Sequence, residues 1–381
     1  MQEQTQRALA AELIELRAHK QAFLDERVST SPVARYLDPG WFARERDAVL
    51  KQPQIAAHGS ELPQPGSFLR REIAGLPVLL TRDDEGQVHA FLNVCRHRGT
   101  RLVDDAAGCQ HRFSCPYHAW TWNNRGALIA VPHERQGFPA QDRETLRLKR
   151  LGCVERDGWL WLNPAGEQAP RLEDWLGDLA QDLKSLAEQP LQLAHVDENV
   201  RAVNWKILVE GGIEAYHFRV AHRATIGPHF PDNLSSYEPF GVHLRSVLPR
   251  NSLFERGDPS SENWELREHA QLLYSLFPVN QLLVQPDHIA WIQLMPIAAN
   301  ATRVRLATLV PQSRMESSAD LAHWAHNHEI TRTTLDEDFA LGESIQSGLA
   351  SGANERLTFG RFEGALAAFN DTVERFVTAR E

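Results

Sequence analysis

Between Cys95 and His118 the chain reads CRHRGTRLVDDAAGCQHRFSCPYH, which contains Cys95-x-His97, then seventeen residues, then Cys115-x2-His118. Two thiols and two imidazoles therefore arrive as two short clips joined by a loop. Thiolate and neutral imidazole are ligands for soft or borderline metals, so the unit reads as a metal centre. Two occupants satisfy the ligand count. One is a structural zinc, which takes two Cys and two His. The other is a 2Fe-2S cluster with two Cys on one iron and two His on the other, the imidazoles raising the potential above that of an all-Cys cluster. Zinc sites commonly pair Cys with Cys and His with His, whereas each clip here carries one of each.

A second set of candidate ligands lies in Asn204 to His222, where Glu214 precedes His217 by three residues and His222 follows five after it. Five residues turn an ideal helix by roughly 500 degrees, so these imidazoles share a face only where a helix bulges or ends between them. Dioxygen chemistry on iron(II) needs two His and one carboxylate on one face, with the other face open. The acidic triplet Asp336, Glu337 and Asp338 offers a distant carboxylate, although such a triplet alone reads as a solvated helix face. His323, His326 and His328 fall within six residues on an amphipathic helix with no fixed carboxylate partner, and read as surface groups. His133, His195, His229 and His243 carry no assignment.

These groups need elements to hold them. Leu9, Leu13 and Leu16 recur at helical spacing within about Gln2 to Glu26. Asp38 is placed to cap, and Pro39 to open, a short helix reaching Asp47. Val78 to Leu80, a turn at Asp83 to Gly86, and Val88 to Val94 read as strand, turn and strand feeding into Cys95. Trp120 to Trp122 and Ala127 to Val131 flank Asn123 to Gly126 as a hairpin, and Gly158 to Leu162 is one more strand. Residues 53–165 then form a small antiparallel domain with both clips at one end, preceded by a helical segment over 1–52 and followed by a second domain over 166–381. In the latter, a helical patch at Leu172 to Leu186 forms a crossover. A long hairpin spans Leu282 to Val310, with Ile289 to Met295 apolar on both faces as a central strand requires. Helices are expected at about Ala319 to Leu349 and Phe362 to Val377, the last burying a face of Phe362, Leu366, Phe369, Val373 and Phe376.

Composition fits this plan. The 381 residues suffice for two cores, and 42% apolar with 24% charged residues is the balance of a globular protein. The formal net charge of -10 disfavours nucleic acid or an anionic membrane as partner. Beyond the clips, Cys109 and Cys153 are expected as free thiols in a reducing compartment. The first thirty residues lack the apolar core of a signal peptide, so a cytoplasmic location is expected.

The clips, with Gly99 and Pro116, resemble the two loops of the Rieske family. Thr100 and Tyr117 stand where Rieske proteins of respiratory complexes usually carry a loop-tying disulfide. The run from Cys115 to Trp122 instead looks like that of the ring-hydroxylating oxygenases, and Glu214, His217 and His222 match their acid, two-spacer, His, four-spacer, His motif. The whole chain resembles the catalytic alpha subunit of Rieske non-haem iron oxygenases. That resemblance implies an α+β fold, with an antiparallel β Rieske domain and a catalytic domain of helices over a curved antiparallel sheet. It implies a 2Fe-2S cluster on Cys95, His97, Cys115 and His118. It also implies a mononuclear Fe(II) on His217, His222 and Asp338, with Glu337 as nearest competitor and Gln346 at the family's offset. Glu214 would link His118 of one subunit to His217 of the next in a homotrimer. Dioxygen and a small organic substrate, aromatic or a quaternary amine, would be used for hydroxylation or oxidative demethylation. No G-x-G-x-x-G signature occurs, so electrons would come from a separate NAD(P)H-dependent reductase or ferredoxin. Two departures stand out. Gly211, after Glu210, occupies a place where the family often has Asn. The bridging acid is Glu214 rather than Asp, a feature associated with members acting on carnitine, choline and related quaternary amines. The competing expectation is a Rieske electron carrier with a non-catalytic second domain, whose iron triad would be incomplete.

Overall fold

The computed structural model describes residues 1–139, 142–255, 258–262 and 264–379. They form two compact units, Lys51–Arg171 and Met1–Leu50 together with Leu172–Glu381. The N-terminal segment thus belongs with the C-terminal half, and three ties explain this. Strand Ser29–Pro32 pairs with Arg356–Phe359. The Tyr36 hydroxyl donates to Glu210 Oε1 at 2.6 Å. Lys206 Nζ meets Glu45 Oε1 at 2.6 Å with both side chains buried. Glu45 also accepts from the indoles of Trp41 and Trp205, at 2.7 and 3.0 Å. A buried pair that is fully hydrogen-bonded in this way loses about 3–5 kcal/mol when one partner is removed, because the other is left uncompensated.

In the Lys51–Arg171 unit a seven-stranded antiparallel sheet runs in the order Gln54–His58, Trp159–Asn163, Arg150–Arg156, Val88–Leu92, Leu76–Arg82, Ser67–Ile73, Ala107–Cys109. Strand alternation sends Val78 and Leu80 to one core, with Leu160 and Leu162. Leu79 goes to the other, with Phe91, Trp120, Trp122, Cys95 and Cys115. The hydrophobic core therefore carries both cysteines. Strands Arg112–Ser114, Thr121–Asn123 and Leu128–Ala130 form a separate three-stranded sheet, and the second clip is the loop between its first two strands.

The other unit is built on a seven-stranded antiparallel sheet ordered Leu191–Arg201, Ala301–Pro311, Ile289–Ala298, Asn280–Val284, Ala270–Leu276, His243–Pro249, Ser236–Phe240. Ile289–Ala298 is interior, as its two apolar faces require. The helix Glu3–Ala18 is shorter than its pattern suggests, because Lys20 takes a positive φ of 54 degrees just beyond it. Asp38 caps Pro39–Ala48 by accepting from Gly40 N at 2.8 Å.

The long helix Ser318–Ala350 starts at Ser317, whose hydroxyl accepts from Asp320 N at 3.0 Å. It is fastened to the sheet by His328, which is buried and reaches Thr308 Oγ1 at 2.7 Å and Asp197 Oδ2 at 2.9 Å. That corrects the surface reading of His328. The residue lies on the inner face of the helix, and its two ring nitrogens are satisfied by the sheet. His326 is exposed. The helix Gly364–Thr378 buries Leu366, Phe369 and Val373. Among the described residues no helix is long and apolar enough to cross a membrane.

Candidate metal centres

The two clips share one backbone turn. Cys95 N donates to Thr100 O at 2.7 Å and Gly99 N to Cys95 O at 2.9 Å, while Cys115 N donates to Trp120 O at 2.8 Å and Ala119 N to Cys115 O at 2.9 Å. The residue four after each Cys is left-handed, with φ of 81 degrees at Gly99 and 56 degrees at Ala119. Gly adopts this freely, whereas Ala is strained there by roughly 1 kcal/mol. The turns bring Cys95 and Cys115 into the core as free thiols, with the rings of His97 and His118 4.8 Å apart. Trp120 lies flat on His97, at 4.8 Å and 6 degrees. Burial, reinforced by the neighbouring Cys115, pushes the Cys95 thiol up against the opposing effect of the His97 and Arg98 amides. Nδ1 of His97 and Nδ1 of His118 are both buried without a hydrogen-bond partner. An orphaned polar atom of this kind costs about 1–3 kcal/mol. A metal bond through each Nδ1 removes that cost, so the residues fit a cluster.

The second centre forms where regular helix stops. Trp205–Gly212 ends before Glu214, and the four-residue helix Phe218–Ala221 lies between His217 at its N-cap and His222 at its C-cap. This break lets imidazoles five apart face one point. His222 Nε2 lies 2.9 Å and His217 Nε2 3.4 Å from Asp338 Oδ1, and the two Nε2 atoms are 3.1 Å apart. Among the described residues these three form the one group whose ligand atoms lie close enough together to share a single ion.

The acidic triplet splits three ways, as successive residues on a helix point about 100 degrees apart. Asp338 faces the centre, while Asp336 accepts from Arg332 Nη1 at 2.8 Å. Glu337 lies behind His222, its Oε2 accepting from His222 Nδ1 and Thr225 Oγ1, each at 2.7 Å. His217 Nδ1 is bonded in the same way to Glu214. Two carboxylates thereby hold both Nδ1–H groups, so each Nε2 lone pair turns inward. Burial works against an imidazolium at His217, yet Asp338 and Glu214 push its pKa up to about 10. The carboxylates thus make the spot favourable for positive charge. Gln346 anchors the helix carrying Asp338, its Oε1 accepting from Asn204 N at 2.9 Å.

A cavity of about 340 Å³ adjoins His217, His222 and Asp338. Its ionisable lining among the described residues consists of these, Glu210, Glu214 and Glu363, with no Lys or Arg. Burial pushes the Glu210 carboxyl up to about 7, although Tyr36, Asn370 and Lys206 act in the opposite sense. Burial likewise raises Glu363. Gly211 lines the cavity, and a Cβ there would meet open space. Sequence reasoning found the three converging residues but missed the placement of Glu337 and the cavity wall, since both depend on strands and helices remote in sequence.

Comparison with known proteins agrees with this architecture. Residues 172–379 match the catalytic domain of the ring hydroxylating alpha subunit, and residues 52–151 match the Rieske [2Fe-2S] domain. The chain belongs to the alpha subunits of the Rieske non-haem iron oxygenases, enzymes with a 2Fe-2S cluster and a mononuclear iron site. It is 32% identical to the glycine betaine monooxygenase oxygenase subunit of Pseudomonas aeruginosa, over 84% of this chain and 82% of that one. To the carnitine monooxygenase oxygenase subunit of Acinetobacter pittii it is 27% identical, over 84% and 85%.

Two solved structures share the fold. One is a quaternary ammonium Rieske monooxygenase studied for carnitine oxidation by gut microbiota and inter-subunit electron transfer, with TM-score 0.76, 24% identity, and 91% and 95% coverage of this chain and that one. The other is naphthalene 1,2-dioxygenase from Rhodococcus sp. bound to indole, with TM-score 0.79, 18% identity, and 98% coverage of each. The chain is therefore an oxygenase subunit, and the electron-carrier alternative is not supported.

Proposed function

We propose that the chain is the oxygenase component of a monooxygenase acting on a quaternary amine, with iron(II) held by His217, His222 and Asp338 and the cluster by Cys95, His97, Cys115 and His118. The observation that carries the substrate class is the cavity's charge. Glu210, buried, and Glu363, half-buried, are carboxyls that line the cavity with Glu214, and no Lys or Arg lines it beside them. A quaternary ammonium complements these carboxyls without donating a hydrogen bond, and Phe218, Phe339 and Phe359 offer aromatic surface to its methyl groups. The names of the glycine betaine and carnitine relatives support the same class.

An iron(II) held by His217, His222 and Asp338 would supply the activation of dioxygen. The protein's contribution is positional. Glu214 and Glu337 fix the two rings from behind, and Asp338 brings its carboxylate against their Nε2 atoms. Glu214 is also proposed to accept from His118 of a neighbouring subunit in a homotrimer, as its place before His217 suggests. The inter-subunit electron transfer addressed in the quaternary ammonium monooxygenase structure supports that route. A cytoplasmic location fits the four free cysteines.

The test is turnover with reductase supplied, comparing glycine betaine and carnitine with anthranilate and naphthalene, and measuring product against oxygen consumed. Coupled product formation from an amine is expected, and turnover of aromatic compounds alone would refute the substrate assignment. For the assembly, trimers mixed from Cys115→Ala and Asp338→Ala chains should regain activity that neither has alone. Inactive mixed trimers would exclude the inter-subunit route.

A further inference from the structure

One wall of the cavity has a polarity pattern that the amine assignment leaves unused. Gln281 and Leu283 on strand Asn280–Val284, with Gln285 just past its end, line the cavity, as do Gln271 and Leu273 on Ala270–Leu276. Leu273 pairs with Leu283, so the wall runs from Gln281 through a leucine pair to Gln271 and Gln285. Gln281 and Gln285 lie roughly 13 Å apart at the usual rise of a strand.

The amides at the two ends point in opposite senses. Gln281 Nε2 donates to Val209 O at 3.2 Å and Ser275 Oγ at 3.4 Å, which leaves Oε1 as its acceptor. This end adjoins the helix that carries Glu210. At the other end Gln285 Oε1 accepts from Arg250 Nη2 at 2.5 Å. A guanidinium has donors only, so the oxygen must face it and the Gln285 NH2 group is turned away, free to donate. Gln271, 8% exposed, has no hydrogen-bond partner for its side-chain amide among the described residues. Arg267 holds Gln285 O with Nε at 3.0 Å and Nη2 at 2.6 Å. Arg250 therefore turns the Gln285 amide, Arg267 holds the backbone beneath it, and Gln271 stands beside it with its amide uncommitted. Asp287 also faces them, but its carboxylate is engaged by His288 Nδ1 at 2.8 Å and His323 Nε2 at 2.7 Å.

We infer that Gln271 and Gln285, the latter oriented by Arg250, form an oxyanion-accepting end of the cavity that recognises a carboxylate on the substrate. This rests on the amine reading and sharpens it. The preferred substrate is a zwitterion, cationic at the Glu210 end and anionic at the Gln285 end, with a short apolar link against Leu273 and Leu283. Gln271 and Gln285 are then specificity-determining residues.

The test is calorimetric binding to the iron-loaded resting enzyme, with glycine betaine, tetramethylammonium, benzoate and toluene as probes. Wild type should prefer glycine betaine to tetramethylammonium. Gln271→Leu and Gln285→Leu should each reduce that preference by roughly tenfold to a hundredfold, the loss expected for a hydrogen bond to a charged group. Where a leucine variant is not recovered folded, Gln285→Glu is measured instead, with the same loss expected from the like charge. A preference unchanged in folded variants overturns the inference and leaves the amine reading intact. Binding of benzoate but of neither ammonium probe refutes the amine reading. In that case the oxyanion end stands only if Gln285→Leu weakens benzoate and not toluene, and falls otherwise.

Discussion

The two metal centres solve one problem by opposite means. The clips put their four groups within a single stretch from Cys95 to His118, on two copies of one turn. The residues proposed for iron are drawn from His217 to Asp338, from a broken helix and a long helix more than a hundred positions apart. Their histidines differ too. At the clips Nδ1 is the buried, unpartnered nitrogen. At the iron centre Nδ1 is held by Glu214 or Glu337, and Nε2 points inward. A centre made by local turns needs little from the rest of the fold, whereas one assembled from distant elements needs carboxylates to fix each ring.

The largest effect should come from Asp338→Ala. Loss of a ligand should abolish mononuclear iron and lower activity more than about a hundredfold, while the visible spectrum of the cluster is unchanged. Metal analysis and absorption check both, and retention of iron with loss only in Glu337→Ala would exchange the two roles.

The next contrast sets two buried carboxyls side by side. Asp83, in the cluster unit, has burial working to raise it, but His89 and the amides of Gln87 and Glu85 hold it below its usual range. Glu210, in the iron unit, is pushed up to about 7. From about pH 4.5 to 7 the folded chain keeps the Glu210 proton that the unfolded chain has lost. Stability therefore falls as pH rises through that window, by on the order of 3 kcal/mol, and then levels off. Asp83 has the opposite sign, its contribution being present at neutral pH and lost as acid protonates it. Glu210→Gln should keep acceptance from Tyr36 and Asn370 and raise stability above pH 7, whereas Asp83→Asn should lower it. Denaturant unfolding across pH measures both, and equal signs would erase the contrast.

A smaller effect is expected at the carboxylate behind His222. Glu337→Gln should weaken iron binding by about 10- to 100-fold without emptying the site. Competition with a chelator measures this. Smallest is the asymmetry between the clips. Gly99→Ala should cost roughly 1 kcal/mol, and Ala119→Gly should relieve a similar strain, read from unfolding midpoints. Equal responses would make the two turns less alike than their hydrogen bonds indicate.

What was legible in the sequence follows the same division. The clips were readable as a unit because Cys95, His97, Cys115, His118 and the left-handed Gly99 all lie within one short stretch. His217 and His222 were readable as a pair only with a break between them, which the structure supplies at Gly212 and again around Phe218–Ala221. The interior strand Ile289–Ala298 and the helices of the C-terminal region were visible from apolar periodicity. The pairing of Ser29–Pro32 with Arg356–Phe359 was not, since nothing in four residues specifies a partner more than three hundred positions away. His328 looked like surface because its partners, Thr308 and Asp197, lie on two different strands. The donor end at Gln271 and Gln285 was equally hidden, because the direction of an amide is set by Arg250 and not by its own neighbours.

The mixed content of each clip has a consequence for how the protein is made. One iron of such a cluster takes both thiolates and the other both imidazoles, so each clip reaches across both irons and neither clip alone completes the coordination of either. Single ferrous ions arriving in turn find no finished seat until both turns are docked. Maturation therefore favours insertion of a preassembled cluster in one event. Damage to either clip would remove one ligand from each iron at once.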